Sequence, residues 1–99
     1  MRIGIPKEVK SNEFRVSVTP SGVAELVYRG HDVVVEKSAG VGSSFSDEEY
    51  IEAGATMVDT ADEVWKQGDL IVKVKEPIAE AFQRKRADQE LFTYLHLAA

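Results

Sequence analysis

The chain has no cysteine. Disulfides and thiolate metal sites are therefore both excluded, and a reducing compartment fits without being demanded. Long apolar runs are missing too. The densest, Val33-Val34-Val35, falls far short of the roughly twenty residues that cross a bilayer. The opening Met1-Arg2-Ile3-Gly4-Ile5-Pro6 holds no apolar stretch of signal-peptide length. A soluble, unexported, cytoplasmic protein with no membrane contact is the expectation. Excess positive charge is also lacking. Twelve Lys and Arg stand against seventeen Asp and Glu, a net charge of -5. Such a surface has no general pull toward phosphate backbones, so no nucleic acid is expected. The basic run Arg84-Lys85-Arg86 falls where a helix should end, where cations complement the negative terminus.

A complete dinucleotide fingerprint is absent as well. Gly40-Val41-Gly42 begins a Gly-x-Gly-x-x-Gly pattern, but Phe45 stands where the third glycine belongs and no helix opens at once. No internal repeat or low-complexity tract is visible. What is present is an ordinary globular balance, 43% hydrophobic and 29% charged, in 99 residues. That length suits one α/β domain with one core.

Short β-branched runs alternate with helix signals, the pattern of a parallel sheet. Strands are expected at Arg2 to Ile5, Asp32 to Glu36, Ala55 to Val58, Asp69 to Val74 and Glu90 to Tyr94, with Phe14 to Val18 extended. Thr19-Pro20 opens a helix with a capping hydroxyl and a proline suited to its first turn. Val23, Leu26 and Val27 share one face of it, and Gly30 closes it. Ser46 with Glu49 and Thr60 with Glu63 each form a capping-box pattern, with stops at Gly54 and Gly68. Pro77 starts a further helix that buries Ile78, Ala81 and Phe82. Ala39 to Ser44 reads as a flexible loop. Tyr50 and Trp65 read as core, and His31 as structural or solvent-facing. The fold class expected is α/β: a flavodoxin-like three-layer domain on a mostly parallel sheet of four to five strands.

In such a sheet, ligands bind beyond the carboxyl ends of the strands. Three residues suited to oxo-acid chemistry follow strand ends: Arg15, Lys75 and His96. A guanidinium can hold a carboxylate by two parallel hydrogen bonds. An ammonium adds a point charge, and an imidazole can exchange a proton with a carbonyl or hydroxyl oxygen. Taken singly, each has a bland alternative as a solvated charge or a satisfied imidazole. If those strands are parallel, all three converge on one edge of the sheet.

Several stretches together carry a resemblance. They are Ile3-Gly4-Ile5-Pro6-Lys7-Glu8, Asn12-Glu13-Phe14-Arg15-Val16, Thr19-Pro20-Ser21-Gly22-Val23 and Gly30-His31-Asp32-Val33. Two more are Val72-Lys73-Val74-Lys75-Glu76-Pro77 and Leu91-Phe92-Thr93-Tyr94-Leu95-His96-Leu97-Ala98-Ala99. Along essentially its whole length the chain resembles the N-terminal part of the alanine dehydrogenases. Related transhydrogenase domains share the opening motif but differ around Lys75 and His96.

The resemblance implies a partial substrate (catalytic) domain over residues 1–99, with a separate NAD-binding Rossmann domain outside them. It implies NAD-dependent, reversible oxidative deamination of L-alanine to pyruvate and ammonia. Arg15 and Lys75 would bind the substrate, and His96 would be the proton donor and acceptor. No cofactor-binding residue and no metal site are expected in these 99 residues, which alone should be inactive. Homo-oligomers, typically hexamers, are expected of the parent enzyme, and self-association of the 99-residue piece. A transhydrogenase-type nucleotide domain and a non-catalytic stand-alone α/β module are the alternatives.

Overall fold

A computed structural model describes residues 1–8, 16–73 and 89–93. The order is β1 (Arg2–Ile5), α1 (Pro20–Tyr28), β2 (Asp32–Glu36), a single 3-10 turn (Val41–Ser43), α2 (Asp47–Glu52), β3 (Thr56–Val58), α3 (Ala61–Gln67), β4 (Leu70–Lys73) and β5 (Glu90–Thr93). Every strand pairing is parallel, and the sheet runs β3-β2-β1-β4-β5. With the short β3 set aside, the progression is the flavodoxin-like one expected. Chain direction along the sheet reverses between β1 and β4, so the topological switch point lies there.

Alternation of side chains separates two cores. Ile3, Ile5, Val33 and Val35 turn to one face and pack with Val23 of α1 and Tyr50 of α2. The other face is covered by α3, where Val64, Trp65 and Ile71 form a second buried cluster. The three-layer arrangement follows directly: α1 and α2 above, the sheet between, α3 below. Complete burial of a side chain such as Ile5 or Ile71 is worth about 1.5–3 kcal/mol.

The helix starts are built as the sequence announces. Thr19 Oγ1 accepts from the Gly22 N–H at 3.2 Å, with Pro20 in the first turn of α1. Ser46 and Glu49 form the full reciprocal capping box of α2. At α3, Thr60 Oγ1 accepts from the Glu63 N–H, while the Glu63 carboxylate takes a bond from Gln67 Nε2. Gly68 ends α3 for a different reason from the usual left-handed stop. Its φ is −77°, but a Cβ there would lie 2.8 Å from Ile71 Cδ1 and 3.1 Å from the Gly4 nitrogen. Close approach of the α3 exit to β1 requires a residue with no side chain.

Some expectations shift. Val16 to Val18 runs through bends at Ser17 and Val18 and contributes no strand to the described sheet. Side chains here serve as ties: Ser17 Oγ donates to the Val72 carbonyl at 2.8 Å. The expected Ala39 to Ser44 loop is built from turns and the 3-10 turn, with Ser38 and Ser44 in left-handed conformation. The helix expected from Pro77, with Ile78, Ala81 and Phe82, lies outside the described residues, as does Arg84-Lys85-Arg86.

Candidate functional site at the carboxyl rim of the sheet

Arg15, Lys75 and His96 all lie outside the described residues. The strands that lead to them are described. β1, β4 and β5 are consecutive in the sheet and mutually parallel, so their chains leave by the same edge. The condition the sequence set for convergence, parallel strands, is met by the backbone, which also makes the three strands neighbours. Lys75 stands two positions beyond Lys73, the last residue of β4, and His96 three beyond Thr93, the last of β5.

At the same rim the structure reveals two charged residues that sequence reasoning passed over. Glu8 and Lys73 form an ion pair, Nζ to Oε1 3.6 Å, with side chains only 3% and 5% exposed. A signal was available. Lys73 ends the apolar run Leu70-Ile71-Val72 in a central strand, where a charge needs a partner. Nothing local identifies Glu8 as that partner, because the two are 65 positions apart in sequence and meet only through the β1–β4 pairing. Gln89 was missed likewise. Its buried amide donates to the carbonyls of Trp65 and Gly68, 2.6 Å each, and pins the entry to β5 against the end of α3.

The rim is further braced on its β2 side. The Lys7 N–H donates to Glu36 Oε1 at 2.8 Å, and the Ser38 N–H to Asp47 Oδ1 at 2.9 Å. Tyr50, fully buried, donates its hydroxyl to the Val18 carbonyl at 2.8 Å. Burial, aided by the negative charges of Glu49 and Asp47, raises its pKa from 10.0 to about 12. The folded state therefore holds the phenolic proton more tightly than the unfolded chain. Tyr50 should cost stability progressively as pH climbs from about 10 to about 12 and have no such effect below that window. Denaturant melts of the wild type and Tyr50→Phe at about pH 8 and about pH 11 check this: the wild type should lose more stability between them than the variant. Equal losses would remove Tyr50 as the cause.

The turn at Gly40 and Gly42 does not fit a dinucleotide's pyrophosphate. Gly40 is small because a Cβ there would meet Tyr50 Cε2 at 2.6 Å and Phe45 Cβ at 2.9 Å, so packing accounts for it. The helix that follows, α2, carries Asp47, Glu48 and Glu49 in its first turn. Three carboxylates there oppose a pyrophosphate where a nucleotide-binding turn would welcome one. Among the described residues, no group of three or more His, Asp or Glu is placed to hold a metal ion. No helix among them is long and apolar enough to cross a membrane.

A cavity of about 280 Å³ opens at the opposite, amino rim, lined by Arg2, His31, Asp32, Thr56 and Gln67 among others. Within it His31 Nδ1 is buried without a hydrogen-bond partner among the described residues, while Arg2 and Asp32 lie 3.9 Å apart and largely in solvent. That rim is separated from the strand exits by the length of the sheet, and it is no part of the candidate site.

Comparison with known proteins places these features. The family described as "Alanine dehydrogenase/PNT, N-terminal domain" matches residues 4–99. The alanine dehydrogenase of Mycolicibacterium smegmatis is 56% identical over 99 residues, covering 100% of this chain and 27% of that protein. That of Staphylococcus saprophyticus is 59% identical over 98 residues, covering 99% and 26%. The chain thus spans about a quarter of the length of these relatives. Among solved structures, an L-alanine dehydrogenase superposes with a TM-score of 0.92 at 49% identity, over 99% of this chain and 27% of that one. A transhydrogenase from Sinorhizobium meliloti superposes with a TM-score of 0.89 at 37% identity, over 96% and 28%.

Proposed function

The chain belongs to the alanine dehydrogenase/PNT N-terminal domain family, and on that premise we propose that it is the substrate-gripping part of an NAD-dependent alanine dehydrogenase. The reaction proposed is reversible oxidative deamination of L-alanine to pyruvate and ammonia. The observation that carries this reading is the adjacency of β1, β4 and β5 in one parallel sheet, with Lys75 and His96 two and three positions in sequence after β4 and β5, and Arg15 in the stretch of chain between β1 and α1.

In this reading Arg15 holds the substrate carboxylate through its planar pair of donors. Lys75 adds positive charge at the carboxylate and carbonyl oxygens. His96 takes a proton from water as it adds to give the carbinolamine, and gives a proton to the nitrogen as the carbinolamine collapses to ketone and ammonia. A switch-point crevice is the ordinary place for such a ligand in an open α/β sheet. NAD belongs to the proposal as cofactor of the whole protein. The turn at Gly40 and Gly42 does not fit a dinucleotide, and the part proposed for this chain is the grip on the substrate. Cytoplasmic residence and assembly as a homo-oligomer are likewise part of the proposal.

Identity favours the dehydrogenase over the transhydrogenase reading, at 49% against 37% for the two structures compared. Lys75 and His96 support it too, since a domain that only passes hydride between nucleotides needs no grip on an oxo acid. A coupled assay decides. The protein carrying this domain should reduce NAD with L-alanine and release pyruvate and ammonia in equal amounts. A polypeptide of residues 1–99 should show no turnover above blank. Absence of alanine-dependent NAD reduction by the larger protein would overturn the proposal.

A further inference from the structure

The ion pair at the switch point has neither of the usual reasons to exist. A surface pair costs little and contributes little, but Glu8 and Lys73 are almost completely withdrawn from water. Buried pairs are as a rule no more stabilising than well-packed apolar residues of the same size. Their best attested use is to impose one register on elements that could otherwise slide. The location matters accordingly. Glu8 lies three residues past the end of β1, and Lys73 closes β4, its neighbour in the sheet.

A second tie sits beside the first. Ser17 Oγ donates to the carbonyl of Val72, the residue before Lys73. Residues 9–15 are thus bracketed by Glu8 and Ser17, which are fastened to consecutive residues of one strand end. Arg15 is two positions before Ser17, and Lys75 two positions after Lys73. One joint therefore governs where both substrate-binding segments leave the sheet.

We propose that Glu8 and Lys73 are positioning residues, a buried charge pair that sets the segment bearing Arg15 in register with the segment bearing Lys75. The inference rests on the substrate-gripping reading above and adds two residues to it. Neither is a catalytic residue. Both act through the pair they align.

The test compares Lys73→Met, Glu8→Gln and the double variant Glu8→Leu/Lys73→Met in the full-length protein. The double variant removes both charges at once and replaces them with apolar side chains, so neither member of the pair is left as an unpaired buried charge, and it should melt closer to the wild type than either single variant. Misalignment of the grip should nevertheless lower its kcat/KM for alanine by about 10²-fold, with KM for NAD unchanged. Hydrogen exchange of the wild type and double variant gives a readout independent of turnover. Amides of residues 9–15 and 74–76 should exchange faster in the variant, and those of α2 and β3 should not. A double variant with wild-type kinetics and wild-type exchange at those amides would overturn the proposal, whatever the single variants do. Should the wild type fail to oxidise alanine, the substrate reading falls, and the exchange result alone decides whether the pair aligns the segments.

Discussion

Replacing His96 by asparagine should lower kcat for alanine oxidation by about 10²–10⁴-fold, the usual worth of a positioned acid–base group. The reasoning starts from the reaction. Conversion of an amine to a ketone by way of a carbinolamine needs a proton taken from water as its oxygen bonds to carbon, and a proton given to the nitrogen as it departs and the hydroxyl becomes a carbonyl. An imidazole is suited to both directions because it titrates near neutrality. Asparagine keeps a polar group of similar reach and cannot carry the proton. Because the proton moves only at the reacting centre, the loss should fall on kcat and on kcat/KM alike, with KM for alanine little changed. The pH–rate profile should also lose the limb that reports the imidazole. Steady-state kinetics from about pH 6 to about pH 10 would show both effects. A variant retaining a tenth or more of wild-type kcat would remove His96 from the chemistry.

How much of this was legible in the sequence depends on the range of the interaction. Helix starts are local, and Thr19, Ser46 and Thr60 declared them correctly because a cap and its target amide lie within four residues. The strands at Arg2–Ile5 and Asp32–Glu36 were legible to the residue, since buried β-branched runs bounded by proline, glycine and charge have few other uses. Gly68 was placed correctly as a stop, but its cause was hidden. The clash that forbids a Cβ involves Gly4, which is brought alongside by the sheet. The Glu8–Lys73 pair and the Gln89 bonds to Trp65 and Gly68 were invisible for the same reason. Each pairs a polar group with a partner more than twenty positions away, and only strand order reveals it. Ser17 lies in the stretch expected to be extended, yet its hydroxyl donates to the Val72 carbonyl and the backbone bends at Ser17 and Val18.

The site itself was legible as chemistry and illegible as geometry. Arg15, Lys75 and His96 can be picked out as a carboxylate fork, a point charge and a proton carrier. Their proposed gathering rests on strand order, which places β1 beside β4 although α1, β2, α2, β3 and α3 intervene in sequence, and β4 beside β5. A chain with the same residues and β1 at the sheet edge would scatter them.

Arg15 carries the other large prediction, and it should differ from the first in kind. The substrate carboxylate does not change in the reaction, so an arginine in the role proposed for Arg15 should grip alanine and the transition state about equally. Uniform binding of this sort appears in KM and leaves kcat almost untouched. Two charge-assisted hydrogen bonds are each worth about 1.5–3 kcal/mol. Arg15→Ala should thus raise KM for alanine and for pyruvate by at least about 10²-fold, since each 1.4 kcal/mol is tenfold. Arg15→Lys is the sharper experiment. It restores the charge without the planar fork, and an ammonium can make only a single point contact. If the fork matters, the lysine variant should stay within about tenfold of the alanine variant. If charge alone matters, lysine should restore most of the affinity. Should neither substitution change KM for pyruvate while His96→Asn abolishes turnover, the carboxylate is held elsewhere. The rim beyond β4 and β5 would then have to supply the whole grip.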